Sequence, residues 1–132
     1  MSDVNINVNG MYKGPHESGP GPDVMGAGTL IGNDVCNAEY EALGTVTEIM
    51  LDMRSGEVAY AVMSFGGFLG MGEKLFAVPW SALVLDTKNK RFVLDVDKER
   101  FENAPGFDPN DWPDMANQEW EKSLRDYYAP RP

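Results

Sequence analysis

The feature that most constrains this chain is a pair of strand-like runs folded about one polar turn. Thr45 to Met53 alternates in strand fashion, with Thr47, Ile49, Leu51 and Met53 on one face and Val46, Glu48, Met50 and Asp52 on the other. Arg54-Ser55-Gly56 follows, and Gly56 suits the positive φ of a three-residue hairpin loop. Glu57 to Phe65 returns with Val58, Tyr60, Val62 and Ser64 on one face and Ala59, Ala61, Met63 and Phe65 on the other. A half-exposed antiparallel strand is polar on one side. This one is apolar on both, so a second layer must cover it, supplied by the C-terminal segment or by a second subunit.

Further short strands flank the hairpin. Leu30 to Cys36 is a weak one, interrupted by Gly32, Asn33 and Asp34, and Glu39 to Ala42 reads as a loop tip. Leu75 to Val78 ends at Pro79, Trp80 to Asp86 follows with Trp80 as a core anchor, and Arg91 to Val96 comes after a turn at 87–90. Strands this short, with turns this frequent and no βαβ periodicity, predict an all-β domain, a closed barrel or a sandwich, over 27–105.

The pattern then changes. Asp97 is placed to cap a helix over Lys98 to Ala104, which Pro105-Gly106 ends. Phe107 to Met115 is broken by prolines, with Trp112 as an anchor, and Asn117 caps a second helix over Gln118 to Tyr128. Its apolar stripe is Trp120, Leu124 and Tyr127 or Tyr128, and Glu121 and Arg125 stand at i, i+4 in the favourable order. Eleven residues make a marginal helix alone, so this 106–132 extension must dock. At the other end, 1–26 is a Gly/Pro-rich tail.

Charge narrows the function classes. The net charge is -10, shared as -2 over 1–26, -4 over 27–100 and -4 over 101–132, with no basic block. Nucleic-acid and anionic-membrane binding both rest on cations, so neither direct nucleic-acid contact nor membrane insertion is expected. The single cysteine, Cys36, reads as a small buried hydrophobe and permits no intrachain disulfide. With neither a leader pattern nor an apolar run long enough to span a bilayer, the expected location is cytoplasmic.

Chemistry has little to work with. His16 and Cys36 are the only His and Cys, too few for a zinc site or a Ser-His-Asp or Cys-His device. Gly67 to Gly72 has the glycine interval of a phosphate loop, but Glu73 and Lys74 stand where Lys and Ser or Thr are required. That loop reads instead as apolar, with Phe68, Leu69 and Met71 either tucked under the domain or exposed as a contact patch. Asp95-Val96-Asp97 and the run Asp108 to Asp114 lack the ligand order of a calcium loop and read as turn and cap residues. No catalytic, cofactor or metal residue is nominated.

The ordered set Leu30-Ile31-Gly32-Asn33-Asp34-Val35, Leu43-Gly44-Thr45-Val46, Met50-Leu51-Asp52 with Ser55-Gly56, Ala59-Tyr60-Ala61-Val62, Gly66-Gly67-Phe68-Leu69-Gly70 and Phe76-Ala77-Val78-Pro79-Trp80 resembles the PRC-barrel domain, the fold of the cytoplasmic part of the photosynthetic reaction centre H subunit. The resemblance runs from about Thr29 to Pro105. It implies a small antiparallel barrel of about six strands, here with a short helical C-terminal extension, no catalytic residues and no defining cofactor. It also implies a protein-binding module that often self-associates. Gly44 and Gly56 fit the bends such a barrel needs.

The expected function is therefore a non-catalytic protein–protein interaction module, an assembly or scaffold factor that dimerises and holds a further protein partner. The contact candidates are Tyr60, Val62, Phe68, Leu69, Met71, Trp120, Leu124 and Tyr127. Two alternatives stand beside it: an accessory to ribosome maturation or RNA processing that works through a protein, and a barrel that binds a small molecule or metal.

Overall fold

A computed structural model of the chain describes residues 24–65 and 74–129. The expectations for Phe68, Leu69 and Met71, and for most of the N-terminal tail, lie outside those residues.

The elements are α1 (Ala27–Leu30), β1 (Asp34–Cys36), β2 (Ala42–Asp52), β3 (Glu57–Phe65), β4 (Lys74–Pro79), a 3-10 turn (Trp80–Ala82), β5 (Leu83–Asp86), β6 (Arg91–Leu94), α2 (Lys98–Glu102) and α3 (Gln118–Tyr128). The six strands form one sheet in the order β4-β3-β2-β1-β6-β5. Its two edges, β4 and β5, are consecutive in the chain and joined only by Trp80–Ala82, so the sheet curls back on itself as a half-barrel.

This architecture corrects the expectation of an antiparallel barrel in two respects. The β1–β6 pair is parallel, with Asp34 opposite Arg91 and Cys36 opposite Val93. The long excursion through β2 to β5 permits this, because a parallel pair needs a long crossover. No ladder joins β4 to β5 among the described residues. The expected first strand is also shorter: residues 27–30 form a helical turn and only Asp34–Cys36 pairs.

The hairpin shows how the sheet bends. β3 spans the expected residues, Glu57–Phe65. β2 starts earlier than expected, and register shifts between Val46 and Glu48 and between Met50 and Leu51 interrupt its alternation. Thr47, Ile49, Leu51 and Met53 therefore do not share one buried face: Leu51 and Met53 are exposed. Bulges of this kind bend a strand and sharpen its twist, as a curled sheet requires. The connecting loop has four residues, because Asp52 pairs with Glu57, and Gly56 closes it at φ +82. Gly44 is needed for a second reason. Its φ is +151, and a side chain there would collide with the Ser64 carbonyl oxygen on β3.

Inside the curl lie Val35, Leu43, Val46, Met63, Phe76, Phe92 and Leu94, all buried. Phe101 of α2 is fully buried and packs on Phe76, with ring centroids 4.7 Å apart, and edge-on against Phe65. α2 ends at Glu102, two residues before the expected Ala104. Phe107 bridges to Leu75 by two backbone hydrogen bonds of 2.9 and 2.8 Å and covers part of the outer side of β4. Trp112 leans on Phe107 but is 43 % exposed, so it anchors less than expected. Asp108 and Asp114 serve turns, accepting from the backbone N–H of Asn110 and Ala116 at 2.8 and 3.0 Å.

Candidate functional site: the seam between the C-terminal helix and the sheet

β3 buries four consecutive residues, Tyr60 to Met63, which requires a layer on each face. α3 supplies the outer layer. It lies against β4 and brings Trp120 edge-on to Tyr60 at a centroid distance of 5.3 Å. The helix begins where the sequence predicts, because the Asn117 side chain accepts the Trp120 backbone N–H at 2.9 Å. Leu124 and Tyr128 are buried, while Trp120 and Tyr127 are half-buried. A reciprocal clamp ties α3 to α2: Arg100 Nη2 donates to the Tyr127 carbonyl at 2.7 Å, and the Tyr127 hydroxyl donates to the Arg100 carbonyl at 2.6 Å. The guanidinium also stacks over the Tyr127 ring at 4.1 Å.

Among the contact candidates, Tyr60, Val62 and Leu124 are buried within the chain, and Trp120 and Tyr127 are half-buried in the same packing. The cover that β3 demanded comes from the chain itself. Self-association therefore loses the support it drew from that strand.

The helix does not seal the seam. Two basins open along it, of about 510 and about 560 Å³. Pro79, Ser81 and Arg125 line both, so the basins adjoin. The first also takes in Leu94, Asp95, Asp97, Arg100 and Tyr128, and the second Asp52, Glu57, Tyr60, Trp80 and Glu121. Trp80 was expected in the core. It packs edge-on against Phe92 at 5.7 Å yet remains half-buried, with part of its surface facing the second basin.

Tyr128 and Tyr60, one from the lining of each basin, have buried hydroxyls that make no well-formed hydrogen bond, although that of Tyr60 lies within reach of the Glu121 carboxylate, whose hydrogen bonding contributes to its raised pKa. An unmade bond of this kind costs about 1–3 kcal/mol. Burial pushes the Tyr60 phenol up to about 12; Glu121 adds to the rise and Arg125 opposes it. Burial likewise raises Tyr128, with Tyr127 adding and Arg100 opposing. The expected Glu121–Arg125 ion pair does not form; Lys122 pairs with Asp126 at 3.0 Å instead. Arg125, an exposed residue, makes neither an ion pair nor a hydrogen bond among the described residues, though its charge acts on Tyr60.

The family model of the PRC-barrel domain matches residues 22–101, from before α1 into α2. The chain belongs to the PRC-barrel domain family. No curated protein matches it. The matched segment of this PRC-barrel protein contains the sheet wall of the seam: Tyr60, Pro79, Trp80 and Ser81. The other wall, α3, lies outside it. Among the described residues, no three His, Cys, Asp or Glu side chains gather to hold a metal ion, and no helix is long and apolar enough to cross a membrane. Reasoning from the sequence found α3 and Tyr60 but not Ser81, Arg100 or Arg125 as parts of a site. Their juxtaposition depends on how the 3-10 corner meets the helix, which no local pattern encodes.

Proposed function

We propose that this PRC-barrel protein is a non-catalytic module that holds a polypeptide segment in the seam between α3 and the sheet, and so acts in assembly. The observation that carries this reading is the pair of adjoining basins that α3 leaves open along the sheet. The sequence resemblance to a family of protein-binding modules points the same way.

Ser81 is exposed and borders both basins, so Ser81→Tyr obstructs the seam without altering charge or core. The wild-type chain is expected to retain polypeptides from its native cell extract that Ser81→Tyr does not, with both melting alike. Equal retention by the two proteins overturns the reading.

Self-association is a second reading, favoured by one observation. β5 is an edge strand whose Val84 is 64 % exposed, and its outer side carries no ladder among the described residues. Light scattering after size exclusion is expected to return twice the chain mass, and Val84→Lys to halve it. A single-chain mass for the wild type refutes self-association and leaves the seam reading intact.

A further inference from the structure

We infer that the free edge of β5 is a docking strand for the chain's own N-terminal stretch, residues 3–9, which would extend the curled sheet by a seventh strand. The chain treats its two sheet edges differently. β4 is covered at Leu75 by the pair of backbone hydrogen bonds to Phe107. β5 has no counterpart: no ladder and no backbone hydrogen bond reaches its outer side among the described residues. Its inward side chains are also incompletely covered. Leu83 and Leu85 stand opposite Leu94 and Phe92, which are buried, yet both remain half-buried themselves. On the other face, Val84 is exposed. What fits this edge is an extended segment that carries apolar side chains on one face and a backbone free to pair.

Residues 3–9 have that pattern. They read Asp-Val-Asn-Ile-Asn-Val-Asn, so Val4, Ile6 and Val8 alternate without a break against Asn5, Asn7 and Asn9, and no proline interrupts them. Asparagine is a poor strand former, so a stretch of this kind pairs only where an existing edge templates it. Laid antiparallel to β5, with Ile6 beside Leu85 and Val8 beside Leu83, it would set its apolar face over the two half-buried leucines and its asparagines outward. The same register brings Asp3 beside Lys88. Lys88 and Lys90 are exposed and make no ion pair among the described residues, so the charges agree. The reach is ample. Met25 packs against the core and fixes the near end of the tether. Residues 10–24 can span up to about 50 Å at about 3.3 Å per residue, whereas β5 lies two strands from β1, about 10 Å across the sheet. Such a tether holds the segment at about millimolar effective concentration, about a hundredfold above a second copy at about 10 μM. The chain's own segment would therefore outcompete edge-to-edge self-association for β5.

The test is amide hydrogen exchange, followed by NMR on the full-length protein at about 10 and about 500 μM. The β5 amides that do not bond to β6 are expected to exchange roughly tenfold or more slowly in the wild type than in Ile6→Asn. Those of β2 and β3 are expected to keep equal rates in both proteins, which separates loss of the docked segment from loss of the fold. Asn5→Ser, a change on the outward face of the stretch, is expected to leave the β5 rates as in the wild type. β5 amides that exchange alike in the wild type and Ile6→Asn overturn the inference, as does an equal loss of protection in Asn5→Ser. Protection present at the higher concentration and absent at the lower also overturns it, because a second copy would then be the occupant of the edge.

Discussion

Replacing Leu124 with alanine tests whether α3 is the layer that β3 requires. Leu124 is 2 % exposed and lies on the buried stripe of an eleven-residue helix. Such a helix is marginal alone, so its docking supplies most of its stability. Removing a buried leucine side chain costs about 2–5 kcal/mol. The Asn117 cap and the Arg100–Tyr127 clamp survive the substitution and limit relaxation of the helix, so the structure points to about 3 kcal/mol. With a urea slope of about 1–3 kcal/mol/M, the unfolding midpoint should fall by roughly 1–2 M. Tryptophan fluorescence and far-ultraviolet dichroism should report the same shift, because α3 and the sheet share one core. A midpoint change below about 0.3 M would refute the argument, since it corresponds to less than about 1 kcal/mol. So would an early transition that removes helical signal alone, because β3 would then keep its cover without α3.

Gly44→Ala combines a φ of +151 with a collision at the Ser64 carbonyl oxygen. Strain of this kind costs about 1–3 kcal/mol, so the melting temperature should fall by about 5 °C or more, and an unchanged value would refute the close approach of β2 to β3. The two buried phenols give a pH prediction. Their folded pKa values are raised, so the folded state keeps its protons longer than the unfolded chain: stability is intact below about pH 10 and declines as pH rises from there toward 12. Ultraviolet titration should show Tyr60 ionising near pH 12 in the folded protein and all five tyrosines near about 10 in urea; a folded Tyr60 that ionises near 10 would refute its burial.

What the sequence revealed, and what it hid, follows from the range of each signal. The bounds of β3 and α3 rest on patterns confined to one element: two apolar faces in a row, and an apolar stripe behind an asparagine cap. The two bulges in β2 left no mark, because either register keeps an apolar residue at most positions between Val46 and Leu51. The parallel pairing of β1 with β6 joins residues more than fifty positions apart and has no local signature. Alternation likewise placed Tyr60 and Val62 on one face of β3, but could not say whether that face would meet a partner or the chain's own helix. At the seam, Tyr128 belonged to the recognisable stripe, whereas Ser81 and Arg125 are polar residues on separate elements and become neighbours only when the 3-10 corner meets α3.

The position of the seam bears on what would set specificity under the function proposed above. One wall belongs to the segment that defines the family, where Tyr60, Pro79 and Trp80 are fixed by the demands of the sheet. The other belongs to α3, which lies beyond that segment and presents Glu121 and Arg125 one turn apart, beside the buried Leu124. Neither charged side chain supports the core. Changes at those two positions can therefore invert the charge of the second basin while Leu124, Tyr128 and the Arg100–Tyr127 clamp hold the helix in place. A curled sheet with a docked extension thus separates two requirements: the sheet and the buried stripe set the geometry of the trough, and, on the function proposed above, the charged positions of one short helix set which segment it would hold.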